Sequence, residues 1–303
     1  MRIFNTMAAR AIPLVPRSLI RQISRRYIAG ATLAELIDRV RPLHAAGYRT
    51  TIDVLGEAAA SPAEVTATAA EYLALIDALH AGGLRAELSI KPSAFGLRFD
   101  ATGCATQVRT ILDVAAAHGV TACIDMEDTS CTQPTLDLFA QLEADGCDVG
   151  IALQAYLKRS DSDAAALGQR RSRVRICKGI YAEADAHLVA GASRDRGAIN
   201  GPFMRQVTNL LRAGSFVGIA THDEALIDAL VAWIDRERVD ASRFEFQMLL
   251  GVCEPLRERL RASGFPVRVY VPYGQDWYGY STRRIKENPR IAGYVLRAWL
   301  RGG

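Results

Sequence analysis

The stretch S61-P-A-E-V-T-A-T-A-A-E-Y-L-A-L-I-D-A-L-H-A-G-G-L-R-A-E-L-S-I-K91, with T51-I-D-V-L-G56 just upstream, holds a complete strand, helix and strand in succession. Ser61-Pro62-Ala63-Glu64 reads as a capping box with proline at the first helical position, in which the Ser61 hydroxyl accepts an end N–H and Glu64 answers the Ser61 amide. The helical run stops at Ala81-Gly82-Gly83, and A86-E-L-S-I-K91 resumes as a short apolar strand. Working outward, the same kind of strand recurs at T121-A-C-I-D-M-E127, V149-G-I-A-L-Q-A155, S172-R-V-R-I-C-K178, F216-V-G-I-A-T221, F244-E-F-Q-M-L-L250 and from Pro266 to Val271. Gly119, Gly146 and Gly264 stand before later strands as Gly83 stands before its own. Eight strands separated by helices at this spacing predict an α/β chain closed into a (β/α)8 barrel. S160-D-S-D-A-A-A-L-G168 reads as a barrel helix rather than a linker, because strands flank it on both sides.

The bulk numbers agree with one compact unit. A chain of 303 residues, 50 % hydrophobic and 23 % charged, can bury roughly three quarters of its unfolded surface in a single core. No boundary divides residues 46–303, which form the expected barrel, while residues 1–45 read as an arm and helices, the second helix being A31-T-L-A-E-L-I-D-R-V-R-P-L-H44.

The net charge is only +4, yet Arg2, Arg10, Arg17, Arg21, Arg25 and Arg26 precede residue 30 without one acidic residue. Interleaved with Leu14, Val15, Leu19, Ile20, Ile23 and Ile28, they suit either an arm laid on an anionic membrane surface or a solvated helix docked on the barrel. No run of about 18 apolar residues occurs, and Arg10, Pro13, Pro16 and Arg17 interrupt any signal-peptide core, so a cytoplasmic protein with at most peripheral membrane contact is expected. Nothing points to nucleic acid. The six cysteines form no C-x-x-C pair and read as reduced thiols; the five histidines lack metal-ligand spacing, so no metal is expected.

In a barrel of this kind chemistry sits at the C-terminal ends of the strands. There the sequence offers Glu57, Lys91, Asp125 with Glu127, Gln154, Arg175 with Lys178, Thr221 with His222, Gln247, and Tyr270 with Tyr273. Only four lysines exist, and two of them, Lys91 and Lys178, end strands, where a buried ammonium requires an anion or a carboxylate partner. Arg175 and Lys178 suit an electron-rich ring and a phosphate; alternatively both pair with Asp125 and Glu127 inside the barrel. G-x-G-x-x-G is absent, which argues against a Rossmann dehydrogenase but not against a dinucleotide laid over a barrel mouth. In the last helix Tyr280, Arg283, Arg284 and Glu287 are spaced by three, four and seven residues and so share one broad face, where two guanidinium groups can hold a carboxylate while Glu287 fixes one of them. An ordinary solvated face would give the same R-R-x-x-E.

Taken in order, R26-Y-I-A-G30, S89-I-K91, I124-D-M-E127, L153-Q-A-Y-L-K-R159, V174-R-I-C-K-G-I-Y181, A220-T-H222, F244-E-F-Q-M-L-L-G251, V267-R-V-Y-V-P-Y-G274 and Y278-G-Y-S-T-R-R-I-K-E-N288 resemble the proline dehydrogenase family in its short, monofunctional bacterial form. The resemblance spans nearly the whole chain. It implies a distorted TIM barrel that binds FAD and oxidises L-proline to Δ1-pyrroline-5-carboxylate, by hydride transfer from C5 to flavin N5, with electrons passed to membrane quinone. By the same resemblance Lys91, Arg283 and Arg284 neutralise the proline carboxylate, Glu287 orients that cluster, Tyr270 and Tyr280 close around the ring, and Asp125 supports Tyr270 or the neighbouring cations. Gln154, Arg175, Lys178, Gly179, Tyr181, Thr221 and His222 fall to the cofactor, Arg175 near its reactive nitrogen.

Two positions depart from the family pattern: Asp223 stands where Asn often follows Thr-His, and Ala182 where larger members often have Trp. The chain is too short for the aldehyde dehydrogenase or DNA-binding regions of multifunctional relatives, which leaves the product to a separate pyrroline-5-carboxylate dehydrogenase. Tyr270 is expected to disfavour 4-hydroxyproline. Two rival readings accompany this one: a Schiff-base lyase or aldolase built on Lys91 or Lys178, which needs an amine of lowered pKa, and a noncatalytic barrel that binds a small acid.

Overall fold

The computed structural model describes residues 17–56 and 58–287, and their side chains apart from those of residues 19, 23 and 283–287. Eight parallel strands close on themselves in chain order: β1 (Arg49–Val54), β2 (Glu87–Ile90), β3 (Thr121–Ile124), β4 (Val149–Gln154), β5 (Val174–Cys177), β6 (Val217–Ala220), β7 (Phe244–Leu249) and β8 (Val267–Tyr273). The ring is sealed by β1 against β8, with Thr51 opposite Tyr270 and Asp53 opposite Pro272. Around it run α3 (Pro62–Ala81), α4 (Ala101–Ala117), α5 (Thr129–Ala144), α6 (Ser160–Arg170), α7 (Asn200–Ala213), α8 (Glu224–Glu237) and α9 (Glu254–Ala262); α1 (Arg17–Ser24) and α2 (Leu33–Ala45) precede the barrel and α10 (Trp277–Glu287) follows it.

Local chemistry sets these boundaries. The Glu64 amide donates to Ser61 Oγ at 3.3 Å as the sequence predicts, but Glu64 Oε2 accepts from the Ala60 amide at 2.8 Å instead of the Ser61 amide, so the reciprocal bond falls one residue early. A complete capping box occurs instead at Thr32 and Glu35, opening α2. Gly83, Gly119, Gly146 and Gly264 all adopt positive φ between a helix and the next strand, a conformation that costs a side-chain-bearing residue energy. The expected strand over 266–271 runs on to Tyr273, which puts Tyr270 inside β8 rather than at its end; the expected strand over 121–127 stops at Ile124, leaving Asp125 and Glu127 beyond it.

Alternation along the strands separates two environments. Ile52, Leu88, Ile90, Ile151, Ile176, Val217, Ile219, Phe246, Val269 and Val271 belong to the buried apolar layer between sheet and helices, where they join Leu75, Val108, Phe139, Phe203 and Leu230. Each such side chain contributes roughly 1.5–3 kcal/mol by burial. The alternate positions carry Thr51, Asp53, Glu87, Ser89, Arg175, Glu245 and Gln247, all buried and polar. Barrel interiors are usually packed with branched apolar residues; this one is filled with ion pairs.

The arm is docked. Ile28, Leu55 and Tyr280 bury together with Tyr27 and Trp277 at their edge, and Arg17 and Arg21 lie over the rings of Tyr278 and Trp277 at 4.5 and 5.9 Å from their centroids. The Ala29 amide donates to Pro272 O at 2.8 Å, and the Gly274 amide to Gly30 O at 3.0 Å. Among the described residues no helix is long and apolar enough to cross a membrane. Arg2, Arg10, Leu14, Val15, Glu57 and Asn288 lie outside the described residues.

Candidate active site

Residues within or just past β1, β2, β3, β5 and β8 bring a cluster of ion pairs and hydrogen bonds together toward the barrel mouth. Lys91, just past β2, pairs through Nζ with Asp53 of β1, whose carboxylate is 2 % exposed. Burial opposes the Lys91 charge, but Asp53 and then Asp125 outweigh it and hold its pKa above the ordinary lysine value. The lysine side chain keeps about a quarter of its surface open.

Asp125 is the junction. Its Oδ1 pairs with Arg175 Nη1, while Oδ2 accepts from Ser89 Oγ at 2.5 Å and from Tyr270 Oη at 2.8 Å. Tyr270 and Ser89 also share a 2.8 Å contact, and the Arg175 guanidinium lies 5.6 Å from the centre of the Tyr270 ring. Burial, reinforced by Asp125, pushes the Tyr270 phenol well above its ordinary pKa, so it stays protonated. Arg175 spends its other donors on Glu87 Oε1, from Nη2 at 2.7 Å, and on Gln247 Oε1, from Nε at 2.7 Å.

The ends of β4, β5 and β6 form a neighbouring sector. Gln154, 1 % exposed, donates from Nε2 to the Glu127 carbonyl at 2.8 Å. Lys178 Nζ pairs with Asp223 Oδ2 at 2.6 Å, and Asn200 Nδ2 donates to that same oxygen at 3.1 Å, while Asn200 Oδ1 is buried with no hydrogen-bond partner. Thr221 is buried, and its Oγ1 accepts from the Asp223 amide at 3.2 Å. His222 Nε2 accepts from the Leu249 amide at 2.9 Å; because that donor is a backbone N–H, the proton of the neutral ring sits on Nδ1.

The long connection from β5 to α7 walls this sector. Gly179 takes φ +96°, and a Cβ there would stand 2.3 Å from the Tyr156 ring, so only glycine lets that ring close. Tyr156 Oη donates to Tyr181 O at 3.2 Å and Arg196 Nη1 to Gly179 O at 2.8 Å; Glu183 accepts from the Thr129 amide at 2.8 Å and from its hydroxyl at 2.6 Å. Tyr181 itself is about a third exposed.

The structure therefore brings Lys91, Asp125, Arg175 and Tyr270 into one cluster and places Gln154, Lys178, Gly179, Thr221 and His222 beside it. The alternative pairing of both Arg175 and Lys178 with Asp125 and Glu127 holds only for Arg175 with Asp125. Lys178 turns to Asp223, and Glu127 instead accepts from the Ser93 amide at 2.9 Å and the Ser93 hydroxyl. Tyr280 is buried against Ile28 and Leu55. Arg283, Arg284 and Glu287 lie on the backbone of α10, while their side chains fall outside the described residues. Sequence reasoning missed Asp53, Glu87 and Ser89. Their signal was the alternation T51-x-D53 and E87-x-S89-x-K91 in strands otherwise apolar on both sides.

The chain is similar to known proteins over most of its length. The family model for proline dehydrogenase matches residues 36–297. The chain is 37 % identical over 285 residues to proline dehydrogenase of Deinococcus radiodurans, covering 92 % of this chain and 91 % of the relative, and 35 % identical over 278 residues to proline dehydrogenase 1 of Bacillus subtilis strain 168, with the same coverage. Among solved structures, proline utilization A of Bdellovibrio bacteriovorus inactivated by N-propargylglycine superposes with a TM-score of 0.80 at 21 % identity, over 88 % of this chain and 33 % of that one, a likeness of fold alone. Proline utilization A of Bradyrhizobium japonicum superposes with a TM-score of 0.70 at 25 % identity, over 89 % of this chain and 32 % of the other. The chain spans about a third of these longer proteins.

Proposed function

The chain belongs to the proline dehydrogenase family, whose model covers residues 36–297, and from that premise we propose that it is an FAD-dependent enzyme oxidising L-proline to Δ1-pyrroline-5-carboxylate, the first step of proline catabolism. The observation that carries this reading is the mouth network: a protonated Lys91 with surface to spare, beside a Tyr270 phenol held by Asp125 and Ser89.

The residues present suit FAD. Gln154, Arg175, Lys178, Thr221 and His222 come from the ends of three successive strands. They include two cations and an imidazole Nδ1–H, and next to them the buried Asn200 Oδ1 lacks the donor that a ligand hydroxyl would provide. When bound, the flavin supplies the two-electron acceptor for the hydride leaving proline C5.

The chain's own groups do the positioning. Lys91, Arg283 and Arg284 hold the substrate carboxylate, the two arginines in the forked geometry that suits it, with Glu287 orienting them. Tyr270 and Tyr280 confine the ring, and the bulk of Tyr270 disfavours a 4-hydroxyl group. Asp125 already accepts from Arg175, Ser89 and Tyr270, which leaves it poorly placed to take a proton, so the amine proton leaves to water. Catalysis rests on holding the reacting carbon in place and on charge stabilisation by Arg175. A Schiff-base role for Lys91 is disfavoured, because that chemistry needs an amine of lowered pKa and Asp53 and Asp125 hold this one raised.

The electrons go on to membrane quinone and the product to a separate pyrroline-5-carboxylate dehydrogenase. The protein is cytoplasmic in this reading, with transient peripheral visits to the bilayer. Anaerobic titration of the purified yellow protein with L-proline tests the proposal: the visible flavin absorption bleaches, and a quinone analogue restores it. A flavin that stays oxidised under saturating proline refutes the activity.

A further inference from the structure

Arg175 enters the lumen held by three acceptors, Asp125, Gln247 and Glu87, and Glu87 is the charged one with no part in the proposed substrate or cofactor contacts. Asp125 serves Tyr270 and Ser89 as well as Arg175, and Gln247 is neutral. Glu87 stands one layer deeper on β2, on the same strand face as Ser89. It is 4 % exposed, and its Oε1 receives both Arg175 Nη2 at 2.7 Å and Thr51 Oγ1 at 2.8 Å. Burial opposes its charge, but Arg268, Arg175 and Arg173 outweigh that and hold the carboxyl at about 2. A full negative charge thus sits against the far edge of the guanidinium throughout the neutral range.

That placement does two things. The three acceptors bond Nε, Nη1 and Nη2 separately and fix the plane of the guanidinium, so its direction does not depend on a ligand. The carboxylate also cancels part of the positive potential that Arg175 projects into the mouth, in a low-dielectric setting where a fixed charge acts strongly.

We propose that Glu87 is a positioning residue which, acting through Arg175, sets how readily the bound flavin is reduced. This rests on the reading that Arg175 serves the reducible end of the flavin. Negative charge shed onto Arg175 from below makes the flavin harder to reduce, and removing it makes reduction easier.

The test uses the flavin-loaded protein and reads the midpoint potential and the dissociation constant of sulfite, a probe that adds to electron-poor flavins. Glu87→Gln keeps an acceptor oxygen and removes the charge. It is expected to tighten sulfite binding about tenfold and to raise the two-electron potential by the equivalent of about 30 mV. Thr51→Val, which is nearly isosteric, removes the competing donor on the same carboxylate oxygen, concentrates its charge on Arg175 and is expected to weaken sulfite binding two- to threefold. This opposite sign decides the matter even if Glu87→Gln fails to hold flavin. Sulfite affinity and potential that stay at the wild-type values in these variants, while Arg175→Lys shifts both, overturn the role of Glu87 alone. Values unchanged in Arg175→Lys itself overturn the placement of Arg175 at the flavin, and the inference with it.

Discussion

The base and the mouth of the barrel lumen are built from the same kinds of groups and differ in how those groups are tied: at the base one carboxylate gathers two guanidinium groups and an amide, while at the mouth the Lys91 ammonium pairs with the single carboxylate of Asp53. At the base Glu245, fully buried, accepts from Arg268 Nε, from Arg49 Nη1 at 3.0 Å and from Gln247 Nε2 at 2.8 Å, and Arg268 gives a further bond to Thr50 O at 2.8 Å. At the mouth Lys91 is paired with Asp53 yet remains a quarter exposed, and Tyr270 is only partly buried. Buried charge at the base specifies how the strands meet; at the mouth the Lys91 ammonium keeps about a quarter of its surface open.

The sharpest way to break this comparison is Glu245→Ala, which leaves the largely buried Arg268 without its carboxylate. It should cost about 3–5 kcal/mol of stability, seen in urea unfolding, while the folded fraction keeps its proline kinetics. A large change in KM with unchanged stability would show that base and mouth are one functional unit.

At the mouth, Arg284→Met should weaken productive proline binding by roughly 2–5 kcal/mol, read from kcat/KM, with flavin content and unfolding midpoint little altered. Unchanged turnover would remove Arg284 from the clamp.

The pH dependence separates the layers in another way. The folded-state pKa of Glu87 is about 2, below the ordinary 4.5, so the stability it contributes is complete above about pH 4.5 and drains away as pH falls toward 2. That contribution is on the order of 3 kcal/mol. Urea unfolding from pH 7 to 3 should show the stability gap between wild type and Glu87→Gln narrowing below about pH 4.5, and a constant gap would deny that the carboxylate's ionisation is the cause.

The smallest expected effect is one of selectivity. On the proposed placement of Tyr270 against the substrate ring, Tyr270→Ser removes that bulk and should move the preference between proline and 4-hydroxyproline by about 1–3 kcal/mol, measured as the ratio of their kcat/KM values.

Much of this architecture was legible before any coordinate. Ser61, Gly83, Gly119, Gly146 and Gly264 mark helix starts and stops through local chemistry that acts within a few residues, so the order of eight strands and their helices could be read directly. Lys91 and Arg175 were legible as strand-end cations. Asp125 was legible as a partner for Arg175 and, by resemblance, for Tyr270, whereas Asp53 and Glu87 were not, because Asp53 lies 38 residues from Lys91 and Glu87 lies 88 from Arg175, and closure of the ring decides which of them meet. The docking of the arm was one of two open readings for the same reason: Ile20 and Ile28 suit a membrane surface or the barrel until the chain folds back and sets Ile28 against Leu55 and Tyr280.

The polar lumen also proofreads assembly. The first four strands and the residues just beyond them supply Asp53, Glu87, Ser89, Lys91 and Asp125, and the last four supply Arg175, Glu245, Gln247, Arg268 and Tyr270, with Arg175–Glu87, Arg175–Asp125, Arg49–Glu245 and Tyr270–Asp125 spanning the two halves. Sliding β1, β2, β5, β7 or β8 by one residue would swing its ionic side chains into the oily layer beneath the helices and its apolar ones into the lumen. A mispaired ring is therefore penalised at several rungs at once.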